Sequence, residues 1–381
     1  MTSTTDDTQV ISHAGAERSS RAKIDRLLGE IDSLIDADNH ADRQITGAWK
    51  TFDDITAAAN AYAWDAYSVD LSVDVASYRG LDRRQQEALC RVFGTIYRAE
   101  SIVDDWMDKI VAAIPVGEGA AGPMGYDAMR TALKSQEHDE KMHHGSLFRV
   151  GTDVLGLAPG EVDAFAQKNN NFVAETLFAH FNSQMAELLQ PNRPLRDVYT
   201  AIFIYGILSE DVIANSDVVI RRAKGNDKYE EFNLPGMREG QTNVRRDEGR
   251  HVRIAVLSTH KFLDEHPGAA EHLTTVTMGY VDLADRMLRQ AKSSRGVIDA
   301  HLMDSYGPDV DSLYYYAMNM KRLAFRLNEL RLDDAVRQIR ERVNIAVEEF
   351  TDENRNPVID EPGVLFKVLG PKLLRFVKPS V

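Results

Sequence analysis

Apolar residues recur three and four positions apart over long stretches of this chain, at roughly 22–37, 84–113, 126–155, 160–190, 195–223, 237–264, 268–293 and 310–349. That spacing puts them on one face of an α-helix, and the alternation that marks a half-buried strand is almost absent. The separators carry helix breakers: IPVGEGAAGPMG at 114–125, QPNRP at 190–194, NLPG at 233–236 and EHPGAA at 265–270. The pattern predicts an all-α bundle of long helices. Within it VYTAIFIYGIL (198–208) is apolar nearly all round and belongs at the centre, because it has no polar face to give to water. The Ser/Thr/Asp-rich start has nothing to bury, so residues 1–20 are expected to form a disordered tail. Pro357, Pro362, Pro371 and Pro379 predict an irregular segment over 351–381, which leaves 21–350 as one helical domain.

Composition narrows the chemistry. An apolar fraction of 43% is ample for a large core, and a net charge of −14 with pI near 5.3 argues against nucleic acid or an anionic membrane surface as the main partner. No run approaches the roughly 18 apolar residues of a membrane span, and the first 20 residues lack the basic and apolar regions of a signal peptide. A cytoplasmic protein is expected. Cys90 is the single cysteine, which excludes an intrachain disulfide framework and any all-cysteine metal site. Metal chemistry would have to use Glu, Asp and His.

Those residues are patterned. RRDEGRHVRI (245–254) places Glu248 and His251 three apart on a predicted helix, and SQEHDEKMHHGSLF does the same with Glu140 and His143. Each pair is preceded by an aspartate, Asp247 and Asp139. One Glu-x-x-His is expected by chance in a chain with eleven histidines, so either copy alone is weak. Forty residues before Glu140, however, Glu100 lies on the apolar face of FGTIYRAESIVDDW, and thirty-eight before Glu248, Glu210 lies on the apolar face of the central helix. A carboxylate on an apolar face is costly unless paired. Residues i and i+3 project from one face, so each Glu-x-x-His can aim a carboxylate and an imidazole at one point. Two such helices and two single-Glu helices supply four carboxylates and two imidazoles, the ligand set of carboxylate-bridged dinuclear sites in ferritin-like bundles, suited to iron or manganese. Asp139 and Asp247 would accept hydrogen bonds from the imidazoles and fix the rings. Glu137, His138 and His144 crowd the first motif, with His144 the alternative to His143. Glu175, in NNNFVAETLFAHFN, also faces an apolar stripe and is a candidate supporting or proton-handling group. Among the aromatics Tyr97, Trp106, Tyr205 and Tyr314 to Tyr316, only Tyr205 stands out from ordinary core residues.

At these residues the chain resembles the superfamily of the ribonucleotide reductase small subunit, and within it the ligand-binding oxidases with a manganese/iron or di-iron site. LPGMREGQTNVRRDEGRHV (234–252) is similar to the segment leading into that family's second Glu-x-x-His. The resemblance covers roughly 85–265 and places Glu100, Glu140, His143, Glu210, Glu248 and His251 on the six ligands. It also places Val103 and Tyr205 on the pair that family can join by an ether bond. It implies a ferritin-like long-helix bundle with a dinuclear Fe/Fe or Mn/Fe site in its four-helix core. The implied activity is dioxygen-dependent oxidation of an unactivated C–H bond in a small or fatty-acid-like substrate, with an electron donor and a homodimeric assembly. Related activities are the alternatives. An acyl desaturase shares the double motif. An arylamine-type N-oxygenase adds a histidine on the third helix, where none occurs between Val198 and Arg222. A radical-generating reductase subunit usually has a tyrosine where this chain has Leu147, and an iron store is usually much shorter.

Overall fold

The computed structural model describes residues 23–33, 49–117, 121–170, 172–214, 228–286 and 312–355, and among these there is no strand. The expected tail and nearly all of the expected irregular end lie outside the described residues. One boundary is corrected: the last helix continues to Arg355, into the segment expected to be irregular.

Four long elements form the centre. They are α4 (Arg83–Ala113), α5 (Tyr126–Arg149), α8 (Leu195–Phe203) with the π-helix that continues it (Ile204–Ala214), and α9 (Pro235–Glu265). Packing of α4 on α5, α5 on α9, α9 on α8 and its π-helix, and α8 on α4 closes the ring. The remaining helices lie around it. Residues 23–33 (α1) contribute Ile24, Leu27, Leu28 and Ile31 to the core. Phe52–Ala61 (α2) packs on α5 and α9, Ser72–Gly80 (α3) on α9, Val162–Asn169 (α6) on α4, and Phe172–Leu188 (α7) on α4 and α8. Ala269–Asp285 (α10), Ser312–Glu329 (α11) and Asp333–Arg355 (α12) pack on one another, and α11 also lies on the π-helix.

Local chemistry explains the boundaries. Thr51 and Asp82 cap α2 and α4, each in a reciprocal box with the residue three positions on, Asp54 or Gln85. The stretch read as one helix over 160–190 is two, since α6 ends at Asn169 in an asparagine run that competes with the helix for its own backbone. The stretch over 310–349 divides at Arg331, whose left-handed backbone (φ 59°) ends the turn after α11. The central stretch over 195–223 is not one regular helix either, because it widens to π geometry at Ile204. Gly206 lets it approach α9, since a Cβ there would lie 2.4 Å from that of Ala255.

Two apolar clusters fill the ring at different levels. One holds Leu89, Phe93, Tyr97, Leu147, Val150 and Met237; the other holds Ile102 to Ile114, Met129 to Leu133, Ile202 to Leu208 and Val252 to Leu257. On α4, α5 and α9 alike, the change from one cluster to the other falls where Glu100, Glu140 with His143, and Glu248 with His251 stand. The polar residues form a layer between two apolar ones.

The amino end of α9 is held from a distance. Buried Asp74 of α3 accepts from the backbone N–H of Gly236 at 2.9 Å and of Met237 at 2.7 Å, meeting the orphan donors of a helix that starts at Pro235. Asp74→Ala is expected to cost about 2 kcal/mol in urea unfolding; a change below about 0.5 kcal/mol would contradict this role.

Candidate metal centre

Glu100 comes from α4, Glu140 and His143 from α5, Glu210 from the π-helix, and Glu248 and His251 from α9. The structure brings all six together. They sort into two triads, Glu100–His143–Glu248 and Glu140–Glu210–His251, within each of which one donor atom per residue lies within 4.8 Å of the others. The imidazoles are 5.5 Å apart between ring centroids.

The distances give each carboxylate a distinct place. Glu140 turns Oε2 to His143 Nδ1 at 3.3 Å and Oε1 to His251 Nδ1 at 2.9 Å. Glu248 does likewise, Oε1 to His143 Nδ1 at 3.7 Å and Oε2 to His251 Nδ1 at 3.9 Å. Glu100 approaches only His143, at 3.5 Å, and Glu210 only His251, at 3.4 Å. Two carboxylates therefore span both imidazoles and two sit at the ends. Although oxygens surround both Nδ1 atoms, neither nitrogen has a hydrogen bond of sound geometry, and buried Glu248 Oε2 has none either. The donors are directed at points between them rather than at each other. Buried polar atoms so arranged fit cations held in the gaps.

The outer nitrogens of the rings are fixed crosswise. His143 Nε2 meets Asp247 Oδ2 at 3.2 Å, and His251 Nε2 meets Asp139 Oδ2 at 3.3 Å, so each motif's aspartate serves the other motif's histidine. With Nε2–H given to a carboxylate, Nδ1 is the nitrogen left facing inward. Fully buried Arg250 donates through Nη2 to Asp139 Oδ2 and Asp247 Oδ1, both at 2.8 Å, and Trp64 Nε1 donates to Asp247 Oδ2 at 2.6 Å. Trp64 and Arg250 are contributions that sequence patterning missed. Arg250 had a signal, since it stands on the buried side three residues after Asp247. Trp64 had little, because its segment lacks helical periodicity.

Without cations the layer is electrostatically unbalanced. Burial, then repulsion from Glu210, pushes Glu248 well above the usual carboxylate range. Burial also raises Glu100, and it takes Glu210 up to about 7 despite His251. For Glu140 burial acts upward, but His251 and His143 overcome it and hold the group low. Burial disfavours charge on the imidazoles, yet the carboxylates around them push both well above the ordinary histidine value. The opposed shifts show a donor set with more carboxylate than cationic partners around it.

The other candidates separate clearly. Glu137 pairs with Lys141 at 2.5 Å, His138 is exposed, and His144 turns to Tyr97 Oη at 3.1 Å. Glu175 belongs to α7, and its side chain lies outside the described residues. Tyr205 donates to Glu140 Oε1 at 2.5 Å and packs edge-on against Trp106, with ring centroids 6.1 Å apart. Val103, one turn before Trp106, is buried in the same apolar cluster as Tyr205. Burial, then the charge of Glu140, keeps the Tyr205 phenol protonated.

No protein-family model matches the chain, and no curated protein does. Solved structures do. An R2-like ligand-binding oxidase with an aerobically reconstituted metal cofactor after photoconversion aligns with a TM-score of 0.53 at 17% identity, covering 73% of this chain and 92% of that one. A variant R2-like ligand-binding oxidase with an anaerobically reconstituted Mn/Fe cofactor gives 0.54 at 17% identity, over 73% and 92% of the two chains. Another, with an aerobically reconstituted Fe/Fe cofactor, gives 0.51 at 18% identity over the same shares. The fold is thus the ferritin-like bundle of the R2-like oxidases, as the helix pattern and the double motif predict.

Arg250→Met should take from two buried carboxylates the guanidinium they share. A loss of about 3–5 kcal/mol in urea unfolding is expected; a loss under about 1 kcal/mol would show that Asp139 and Asp247 do not depend on it.

Proposed function

We propose that this protein is an oxidase that activates dioxygen at a dinuclear Fe/Fe or Mn/Fe centre held by Glu100, Glu140, His143, Glu210, Glu248 and His251. The observation that carries this reading is the pair Glu140 and Glu248, each with one oxygen toward either inward-facing imidazole nitrogen. Glu100, His143 and Glu248 would hold one ion of a bound pair and Glu140, Glu210 and His251 the other. Four carboxylates match the charge of two divalent cations, and hard oxygen donors with imidazole suit iron and manganese. When bound, a reduced pair of this kind supplies electrons to dioxygen and the oxidising power to break a C–H bond. The likeness in fold to oxidases whose structures carry Mn/Fe or Fe/Fe cofactors supports the same reading.

The chain's own residues supply geometry, dryness and proton control. Asp139 and Asp247 hold the imidazoles with Nδ1 inward. The apolar layers on either side exclude water, so charge inside is felt strongly. Tyr205 keeps its proton against Glu140, where it can donate to that carboxylate or be drawn on during oxidation. The substrate is proposed to be a small or fatty-acid-like molecule, and an external donor is needed to reduce the centre for further turnover. No helix among the described residues is long and apolar enough to cross a membrane.

Elemental analysis of protein produced with both metals available should find about two iron or manganese atoms per chain. Protein free of both would reject the proposal. Glu248→Ala, which removes one of the two spanning carboxylates, should reduce dioxygen consumption by the reduced protein to background while its far-ultraviolet dichroism stays that of a helical bundle. An unchanged rate would remove the catalytic reading.

A further inference from the structure

Glu210 turns inward to His251, but its neighbour Asp211 turns away from the centre and meets α11. Asp211 is fully buried. Its Oδ1 accepts from Arg322 Nε at 3.0 Å and also from Arg322 Nη2, and its Oδ2 accepts from Arg326 Nε at 2.7 Å. Arg326 Nη1 in turn donates to Glu329 Oε2, and Glu329 Oε1 accepts from Arg253 Nη1 at 3.0 Å. Arg253 Nε donates to the Trp49 carbonyl at 2.7 Å. The chain of charges begins one residue after Glu210 and ends two residues after His251. It therefore fastens the elements that carry two of the three members of one triad, Glu210 and His251, but only Glu248 of the other, to an outer helix that contributes nothing to either triad. His143, in the other triad, is tied through Asp247 and Trp64 instead.

Two physical considerations make this more than a stabilising contact. A π-helix is rare, and such a departure from α geometry persists only where its surroundings impose it. Here the widened turn brings residues five apart onto one face, so that Tyr205 reaches Glu140 while Glu210 reaches His251. A buried ion pair, moreover, often adds no net stability over well-packed apolar side chains, so stability alone is a weak reason for placing Asp211 and two arginines there. We propose that the Asp211–Arg322–Arg326–Glu329–Arg253 network is a positioning device. It holds the π-helix and α9 in the register that completes the Glu140–Glu210–His251 position, and so governs occupancy of that metal position more than of the other. This inference rests on the dinuclear reading above.

The test uses the full chain, stripped of metal by a chelator and titrated with Co(II), whose visible spectrum reports each filled position. Wild type should take up two equivalents. Asp211→Leu combined with Arg326→Met removes the buried carboxylate and one of its two arginine partners and leaves Arg322, a third of whose side chain is exposed, to reach water. This variant should keep one tight equivalent and bind the second at least about tenfold more weakly, with altered visible bands and a Tm near that of wild type. Glu329→Gln cuts the link between Arg326 and Arg253 at a partly exposed residue. It should weaken the same equivalent by a smaller factor, and it keeps the test decisive if the double variant does not fold. Two equivalents of unchanged affinity in the variants that fold would overturn the inference and leave the dinuclear reading standing. An equal loss of both equivalents with a lowered Tm would show a merely structural network and overturn it too. Wild type that takes up no Co(II) would overturn the dinuclear reading itself, and the inference with it.

Discussion

Six ionisable side chains lie in one layer of a helical core with apolar clusters above and below, and that layer must be neutralised from within. The apolar clusters on either side offer it no polar partner, and four carboxylates facing two imidazoles carry more negative than positive charge. The response is visible in every direction from the centre. Neighbouring carboxylates raise the affinity of both histidines for a proton, burial raises that of Glu248, and the aspartates outside the rings are paired with a buried arginine. Divalent cations would satisfy the same demand with fewer compromises.

The need to bring donors from four helices to one level shapes the bundle around them. Gly206 permits the close approach of the third helix to the fourth, and the π turn after Phe203 puts Tyr205 and Glu210 on a common face. Both are local departures from regular helix, and they occur where the site needs them. Outer helices then supply what the ring cannot: Asp74 secures the start of α9, while Arg322 and Arg326 hold the residue beside Glu210.

Much of this was readable in the chain because the governing spacings are short. Glu140 with His143 and Glu248 with His251 are i, i+3 pairs, whose shared direction follows from helix geometry alone. Glu100 and Glu210 stood out as carboxylates on apolar faces. What stayed hidden depends on contacts far apart in sequence or on helix irregularity. The crosswise service of His143 by Asp247 and of His251 by Asp139 needs the relative depth of two helices. Trp64 lies between α2 and α3, two helices too short to give a strong periodic signal. The apolar run before Glu210 reads equally well as α or π, and only its neighbours decide. Arg322, Arg326 and Glu329 sit more than a hundred residues from Asp211, on a helix whose exposed pattern looked ordinary.

The central claim is a pair of transition-metal ions between His143 and His251, and anomalous diffraction from crystals of the metal-loaded protein, collected at the iron and manganese edges, tests it most directly. The account predicts two peaks about 4 Å apart, each beside one imidazole Nδ1, with Glu140 and Glu248 reaching both. A single peak, or metal bound elsewhere on the molecule, would contradict it.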